Sequence, residues 1–474
     1  MSSKTSPIGK AIDDIFETWN RDDSPGMTIA VRHNGSVVYR NGYGVADLDH
    51  QIYNSHDTVF HAASLTKQFT ALAIMMLIEN PGLASANPAL GPITLDTDVN
   101  TSTLIPELGG ITRPDATRQP ITLGQLLHHT SGIRDQWILA TMAGWRMSDD
   151  VITRDDVMNR FVKLSKSLNF APGSKYSYSN TNYTIAGEIV RKVSGLSLSA
   201  FCKQHIFDPL GMTNTRIMET HGEVVEDRAY GYRVPPSGGP GWEVRMPNYD
   251  LTGPTNLQTT VDDLMLWDAN FDTMTVGGAG ALTAMQTPGL GGYGLGLFIT
   301  PQGGSTIVEH NGRDAGYRSH LIRLPDQKLS IALLCNVALP TQAQTWTLVR
   351  DVAKLYLGTT LALPAGSQPP ITTPGPAPSN PGEFTGRYYS DELDVTYTLV
   401  LNGAAIQVTR QKYAPVGLAS LAGADAFMTT SMFSNVLPAV KFTFYREQGQ
   451  IAGFHMDDIS GADQLSDFKF RKLP

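Results

Sequence analysis

Strand-forming segments stand early and late in the first 363 residues, with a helical stretch between them, and this limits the fold more than any other feature. Early on, Met27–Arg32 and Ser36–Arg40 flank the turn His33-Asn34-Gly35. Asn-Gly between two β-rich runs is a strong short-range hairpin signal. Later, Tyr293–Ile299, Ser305–His310, Gly316–Leu324 and Leu329–Asn336 read as strands, with Pro325-Asp326 turning between the last two. The chain between about Leu123 and Ile217 is mainly helical with frequent breaks. An amphipathic helix over Ala11–Trp19, with Ile12, Ile15, Phe16 and Trp19 on one side, precedes the first hairpin, and a helix over Trp346–Leu357 follows the last strand. The expected class is α+β: an antiparallel sheet flanked by helices, plus a helical subdomain.

At 474 residues the chain is too long for a single ordinary core. A stretch rich in proline, glycine and serine, residues 364–381, reads as an extended linker, because it offers nothing with which to build a core. Beyond it, 382–474 is strand-like throughout. Val395, Tyr397, Leu399 and Leu401 alternate with polar residues, Asn402-Gly403 turns, and Ile406 and Val408 return. Phe442 and Phe444, then Phe468 and Phe470, keep the period of two. The expected organisation is a catalytic-size α+β domain over 1–363, the linker over 364–381, and a small all-β barrel, lipocalin-like, over 382–474.

Charge and cysteine use narrow the function. A net charge of -8, with no basic cluster, gives no footprint for nucleic acid. Two cysteines make no disulfide framework, and Cys335 within Ile331–Asn336 reads as an inert strand residue. The first ten residues lack an apolar signal region, and the longest apolar run, Ala71–Ile78, is far short of a membrane span. A cytoplasmic protein without nucleic-acid or membrane partners is the expectation.

Three motifs carry chemistry. In His61-Ala-Ala-Ser-Leu-Thr-Lys67, Ser64 and Lys67 open a long apolar helical stretch that runs to Glu79, where Asn80-Pro81 ends it. Residues i and i+3 share a helix face, so the amine of Lys67 reaches the Ser64 hydroxyl. The positive end of the helix favours a developing alkoxide and a neutral lysine, and both effects activate a nucleophile. Tyr178-Ser179-Asn180 stands just before a helix that starts near Thr181. A tyrosine hydroxyl meeting an ammonium serves as a general base, and an asparagine amide two residues on holds a substrate carbonyl. His310-Asn311-Gly312 ends a late strand, where glycine admits close backbone approach and N–H groups can form an oxyanion hole. The tripeptide itself says little, since His33–Gly35 repeats it as a hairpin turn. The next segment, Arg313 to Ser319, reads as too long and too decorated for a two-residue turn.

In this order, S-x-x-K, then Y-x-N, then a residue with x-G after it on a late strand, the motifs resemble those of the penicillin-recognising serine enzymes. The likeness is greatest to the branch of class C β-lactamases, D-aminopeptidases, D-amino-acid amidases and β-lactamase-like esterases. Leu127–Ile133, Leu257–Leu264 and Tyr293–Leu297 are similar to family segments. The resemblance implies a β-lactamase/transpeptidase-like fold over residues 10 to 360 and two-step acyl transfer with no metal and no cofactor. Ser64 would be the acylated nucleophile, with Lys67 and Tyr178 sharing proton transfer. Asn180, His310, Gly312 and Arg313 would bind substrate, the N–H groups of Ser64 and Arg313 holding the oxyanion.

His310 stands where β-lactamases and transpeptidases carry lysine. A mostly neutral imidazole is a poor receptor for a substrate carboxylate, which points away from β-lactams and towards a small amide, peptide or ester, with or without D-stereochemistry. The alternatives are an acyl transferase or transesterase, and a weak β-lactamase or penicillin-binding sensor. His128 and His129 read as structural. Asp314, Tyr317 and Arg318 stand between pocket and solvated loop, and Glu309 and Asp135 are candidates for a substrate amine.

Overall fold

The computed structural model describes residues 6–84, 90, 92–100, 103–111, 120–146, 149–236, 238–339, 343–364, 373–423, 425–430, 432, 437 and 439–474. The chain forms two compact units, Met1–Asp96 with Tyr183–Pro364, and Thr97–Asn182 with Ala365–Pro474.

In the first unit, helix α1 (Pro7–Phe16) starts at Ser6, whose Oγ accepts the Gly9 N–H, with proline in the first turn. The hairpin of β1 (Met27–His33) and β2 (Ser36–Tyr43) comes next, as expected. Helix α2 (Thr66–Glu79) stops at Asn80 before Pro81. Helix α3 (Asn180–Ser194) leads back into this unit. Helix α4 (Val261–Thr273) is capped by Thr260, whose Oγ1 accepts the Asp263 N–H at 3.1 Å. Asp263 does not complete a capping box; its carboxylate holds Asn214 and Thr215 instead. Strands β3 (Phe298–Gln302), β4 (Ser305–Asp314), β5 (Tyr317–Leu324) and β6 (Leu329–Cys335) form a meander, and helix α5 (Ala343–Leu357) closes the unit.

One six-stranded antiparallel sheet, in the order β3-β4-β5-β6-β1-β2, joins the early and late strands. Met27, Ile29 and Val31 of β1 and Ile331 and Leu333 of β6 face Ile12 and Phe16 of α1 and Val349 and Val352 of α5 in one core. The opposite face meets α4 through charge: Arg32 reaches Asp268 and Asp272 at 2.9 and 2.8 Å, and Arg323 pairs with the same two carboxylates. Every residue of β5 and β6 is buried, as a sheet covered on both faces requires. Burial pushes the Cys335 thiol up to about 12, so it is inert at neutral pH.

The turn before helix α2 touches β4 and β5, and the helix packs among helices, with Phe69 against Phe207 and Trp267. Two strands differ from expectation. The expected strand Tyr293–Ile299 is irregular up to Phe298, because Gly296 takes φ +76° and presses on the backbone of Lys67. The strand of His310 runs on to Asp314, and Ala315-Gly316 alone makes the turn, so Arg313–Ser319 is strand, two-residue turn and strand.

In the second unit, eight strands between Gly386 and Lys472 close into an antiparallel barrel. Its interior is aromatic: Phe454 stacks on Phe470 at 4.8 Å, and Tyr388, Phe442 and Phe444 surround them. Leu401 breaks the expected pattern. It stands at the hairpin tip, 43% exposed, where the strand has run past the core. Residues 365–372 of the expected linker lie outside the described residues; Pro374 and Gly375 bridge to Leu421 and Ser420 at the barrel. The barrel packs on the helical segment through a buried cation. Arg134 donates to Glu392 (2.8 Å), to the Ser167 carbonyl (3.0 Å) and to the Ser466 carbonyl (2.9 Å). Among the described residues no helix is long and apolar enough to cross a membrane.

Glu309 is not available to a substrate amine. It is buried, bonded by Arg350 (2.7 and 3.1 Å) and by His320 Nε2 (2.7 Å). Burial alone would raise its pKa, but the His320 and Arg350 contacts win and hold it at about 2. A carboxyl whose pKa is depressed on folding stabilises the fold above its unfolded value of 4.5, and that contribution disappears as pH falls through about 2. Chemical denaturation between pH 5 and pH 2 should therefore show a loss of stability that the Glu309→Gln variant shows to a smaller degree.

Candidate active site

The Ser64 turn is held by backbone contacts on three sides. Ala63–Leu65 forms a single 3₁₀ turn ahead of α2. Ala62 donates its N–H to the Leu257 carbonyl at 2.8 Å, and its own carbonyl accepts the Ser319 hydroxyl at 2.7 Å. Thr66 Oγ1 donates to the Ala63 carbonyl (2.6 Å) and accepts the Leu257 N–H (3.0 Å). Ala63 has φ +48°, a left-handed conformation that costs free energy for a residue with a side chain. The surrounding bonds therefore hold a strained turn, with Ser64 half-buried at its centre.

Lys67 lies one turn on, fully buried, with Nζ 3.0 Å from Ser64 Oγ and 2.9 Å from the Pro254 carbonyl. Its Nζ is 5.6 Å from the ring centre of Tyr183, a residue of α3, the helix that Asn180 begins. Hydroxyl and amine are thus within direct proton-transfer distance.

Gly312 explains itself by contact. A Cβ there would lie 2.2 Å from Ser319 Oγ, 2.5 Å from the Ala62 carbonyl oxygen and 3.0 Å from Ala63 Cβ. Only glycine lets β4 run directly beside the Ser64 turn. Arg313 is next, with an exposed side chain. His310 is 1% exposed. Its Nδ1 is 2.7 Å from the Asn311 carbonyl, so that nitrogen carries the proton, and Nε2 accepts from the Tyr293 hydroxyl at 3.0 Å. Burial first, and the nearby Lys67 second, push its pKa down to about 3. The imidazole is neutral throughout the physiological range, in line with the reading of this position from sequence.

Tyr178 and Asn180 belong to the second unit, on the segment that leads into α3. Two residues shape that segment. His129, at φ +56°, accepts the Ser179 N–H on Nδ1 at 3.1 Å, and its ring lies 4.2 Å from that of Tyr178. Asp135, buried, accepts both the backbone N–H (2.6 Å) and the side-chain amide (2.8 Å) of Asn180. Asp135 is therefore spent on orienting Asn180 rather than free for a substrate amine. His129 is structural, as expected. Asp314 bonds His61 Nε2 (3.1 Å) and Thr255 (3.1 Å), and Tyr317 and Arg318 are buried, so none is a solvated loop residue. Sequence reasoning missed Pro254, Tyr293 and the orienting role of Asp135; the last stands just beyond the segment Leu127–Ile133, whose family likeness was the available signal.

Among the described residues, His56, Asp57 and Asp262 approach metal-ligand geometry, but Asp262 is already 2.5 Å from the Arg40 guanidinium and the group is partly exposed. It has the character of a surface ion cluster.

A helix-flanked antiparallel sheet, with a serine and a lysine one helical turn apart and a glycine strand beside them, defines the class of fold to which this chain belongs. The Beta-lactamase family model matches residues 12–354, and the chain belongs to that family. It is 27% identical over 322 residues to a D-aminopeptidase of Gluconobacter oxydans, covering 67% of this chain and 56% of that protein. It is 27% identical over 352 residues to penicillin-binding protein 4* of Bacillus subtilis, covering 69% and 71%. The match thus spans little more than half of the D-aminopeptidase. Among solved structures, the octameric penicillin-binding protein homologue from Pyrococcus abyssi superposes with a TM-score of 0.60 at 23% identity, over 98% of this chain and all of that one. The D-amino acid amidase of Ochrobactrum anthropi SV3 gives 0.60 at 22%, over 74% and 99%. The fold is β-lactamase/transpeptidase-like with a closed eight-stranded barrel after it.

This geometry sets two expected outcomes. Gly312→Val should cut labelling of Ser64 by a fluorophosphonate by at least about tenfold while the far-ultraviolet circular dichroism is retained, since the added side chain displaces the Ser64 turn. The ring resonances of His310 should not titrate between pH 5 and 9 in NMR, because the imidazole stays neutral down to about 3.

Proposed function

We propose that this chain is a serine hydrolase of small amides, peptides or esters, including D-amino-acid derivatives, working through an acyl-enzyme on Ser64. The observation that carries the reading is the 3.0 Å contact between Ser64 Oγ and a buried Lys67 amine. Ser64 Oγ attacks the substrate carbonyl carbon as its proton leaves towards Lys67. Tyr178 shares the proton work and hands a proton to the departing amine or alcohol. The oxyanion rests on the N–H groups of Ser64 and Arg313, and Asn180, fixed by Asp135, orients the substrate carbonyl. Water then attacks the ester carbonyl of the acyl-enzyme, its proton going to Tyr178 while Lys67 returns its own to the departing Ser64 Oγ, which restores the serine and releases the acid.

Amides or esters without a carboxylate beside the scissile bond are favoured over β-lactams. The support is the neutral, fully bonded His310 where a permanent cation would be needed, together with the D-aminopeptidase and amidase relatives. The barrel enters through one loop. Ser177 Oγ donates to the carbonyls of Ala462 and Asp463 (3.0 and 3.2 Å), and Gln464 Nε2 reaches the Tyr178 carbonyl (3.4 Å). That loop bears on the segment of Tyr178 and Asn180, and so on substrate choice.

The test is a panel of p-nitroanilides and p-nitrophenyl esters, both enantiomers of short amino-acid derivatives, and a chromogenic cephalosporin. Wild type should turn over at least one amide or ester faster than the cephalosporin. Ser64→Ala and Lys67→Met should lose about a thousandfold or more in kcat/KM. Activity unchanged in Ser64→Ala would overturn the mechanism, and a stable Ser64 adduct without turnover would replace hydrolase by sensor.

A further inference from the structure

Beside the Ser64 turn, and wholly within the first unit, lies a recess of about 140 Å³ that the acyl-transfer chemistry does not use. Its walls include His61, Met218, Arg228, Met246, Gln258 and Tyr317. Two of these groups are chemically unfinished. Gln258 is 1% exposed; its Nε2 donates to His61 Nδ1 at 3.0 Å, while its Oε1 is buried without a hydrogen-bond partner. The Asp314 carboxylate holds the His61 proton on Nε2, so Nδ1 accepts and the amide's nitrogen end faces it, which leaves Oε1 as the open acceptor. A buried acceptor left unsatisfied costs about 1–3 kcal/mol.

Arg228 is the second. Among the described residues its guanidinium has one side-chain partner, the Met218 thioether at 3.4 Å, and no carboxylate within ion-pair distance. Sulfur is a weak acceptor, so a guanidinium with five donors is left largely unspent at the wall of a recess. By contrast Arg32, Arg323 and Arg350 all meet carboxylates. The lining is otherwise rigid and semi-apolar. Tyr317 donates its hydroxyl to the Ala229 carbonyl at 2.5 Å, pinning the residue next to Arg228, and its ring packs 5.6 Å from that of His61. His61 is fixed in turn by Gln258 on one nitrogen and Asp314 on the other.

We propose that this recess is a binding subsite for a small carboxylic acid that also carries an N–H or O–H donor, an α-amino or α-hydroxy acid. The carboxylate takes the Arg228 guanidinium, the donor takes Gln258 Oε1, and a short side chain lies against Met218, Met246 and Tyr317. The volume admits one such molecule, not a peptide. The subsite supplies the fixed cation that His310 does not, and it stands independently of which amide or ester Ser64 cleaves.

The experiment is isothermal titration of the full-length Ser64→Ala chain with glycine, D-alanine, L-alanine and D-lactate, with alaninamide as the probe lacking a carboxylate. At least one acid should bind saturably, and alaninamide should not. Arg228→Gln should weaken that binding by about tenfold or more, whereas Arg228→Lys should keep most of it. Equal binding in wild type and Arg228→Gln would overturn the proposal, as would the absence of saturable binding by any acid with a Kd below about 10 mM. Should Arg228→Gln fail to fold, the pairing of Arg228→Lys with the alaninamide comparison decides: equal affinity for alaninamide and alanine sinks the carboxylate assignment.

Discussion

The close approach of β4 to the Ala62–Ser64 turn is the contact on which the rest of the site depends. At Gly312 there is no room for a side chain, so the strand's backbone and the turn's backbone meet directly. That contact, with the Ser319 hydroxyl on the Ala62 carbonyl and the Ala62 N–H on Leu257, sustains the left-handed Ala63 that aims Ser64. Lys67 inherits its position from the same turn, since it is three residues on in a helix whose first bonds are set there. A serine placed this way needs no movement to meet its amine, which is what preorganisation means in energetic terms. The sheet is the reference frame: β5 and β6 are buried on both faces, and β4 is paired directly to β5.

Burial then decides the charge state of each group. Glu309, Arg350 and His320 form a buried cluster immediately behind His310, with the carboxylate held ionised by two partners. His310, one residue along the strand, meets aromatic rings and a tyrosine hydroxyl instead and is held neutral. Alternation along β4 sends the two side chains to opposite faces, so neighbouring residues reach opposite protonation behaviour. A single strand thereby carries a structural anion on one face and an uncharged imidazole near Lys67 on the other.

Much of this was legible in the sequence. The hairpin at Asn34-Gly35, the end of α2 at Asn80-Pro81 and the barrel's period of two are local signals, and local signals survive folding. Ser64 and Lys67 were legible because helix geometry fixes their spacing. What failed was set by long-range contact. The strand expected at Tyr293 gives way because Gly296 must accommodate Lys67, more than two hundred residues earlier. The run after Gly312 looked like a decorated loop because two of its polar residues are bonded within the fold rather than solvated; Asp314 finds His61, and Arg318 turns back onto the Tyr317 carbonyl. Asp135 looked free for a substrate amine for the same reason, its partner Asn180 lying far along the chain.

The misreadings of Asp135 and Asp314 share one physical cause. A polar residue in an apolar neighbourhood is either solvated or satisfied by a distant partner, and one-dimensional spacing does not distinguish the two. Once the partners are known, the polar residues sort themselves. Asp135, Asp314 and Glu309 are saturated, and their chemistry is to position others. Gln258 and Arg228 are not saturated, although they line the same recess. Folding has left hydrogen-bonding capacity open there, and a fold that satisfies Arg32, Arg323 and Arg350 through carboxylates has no structural reason to leave the half-buried Arg228 to a thioether.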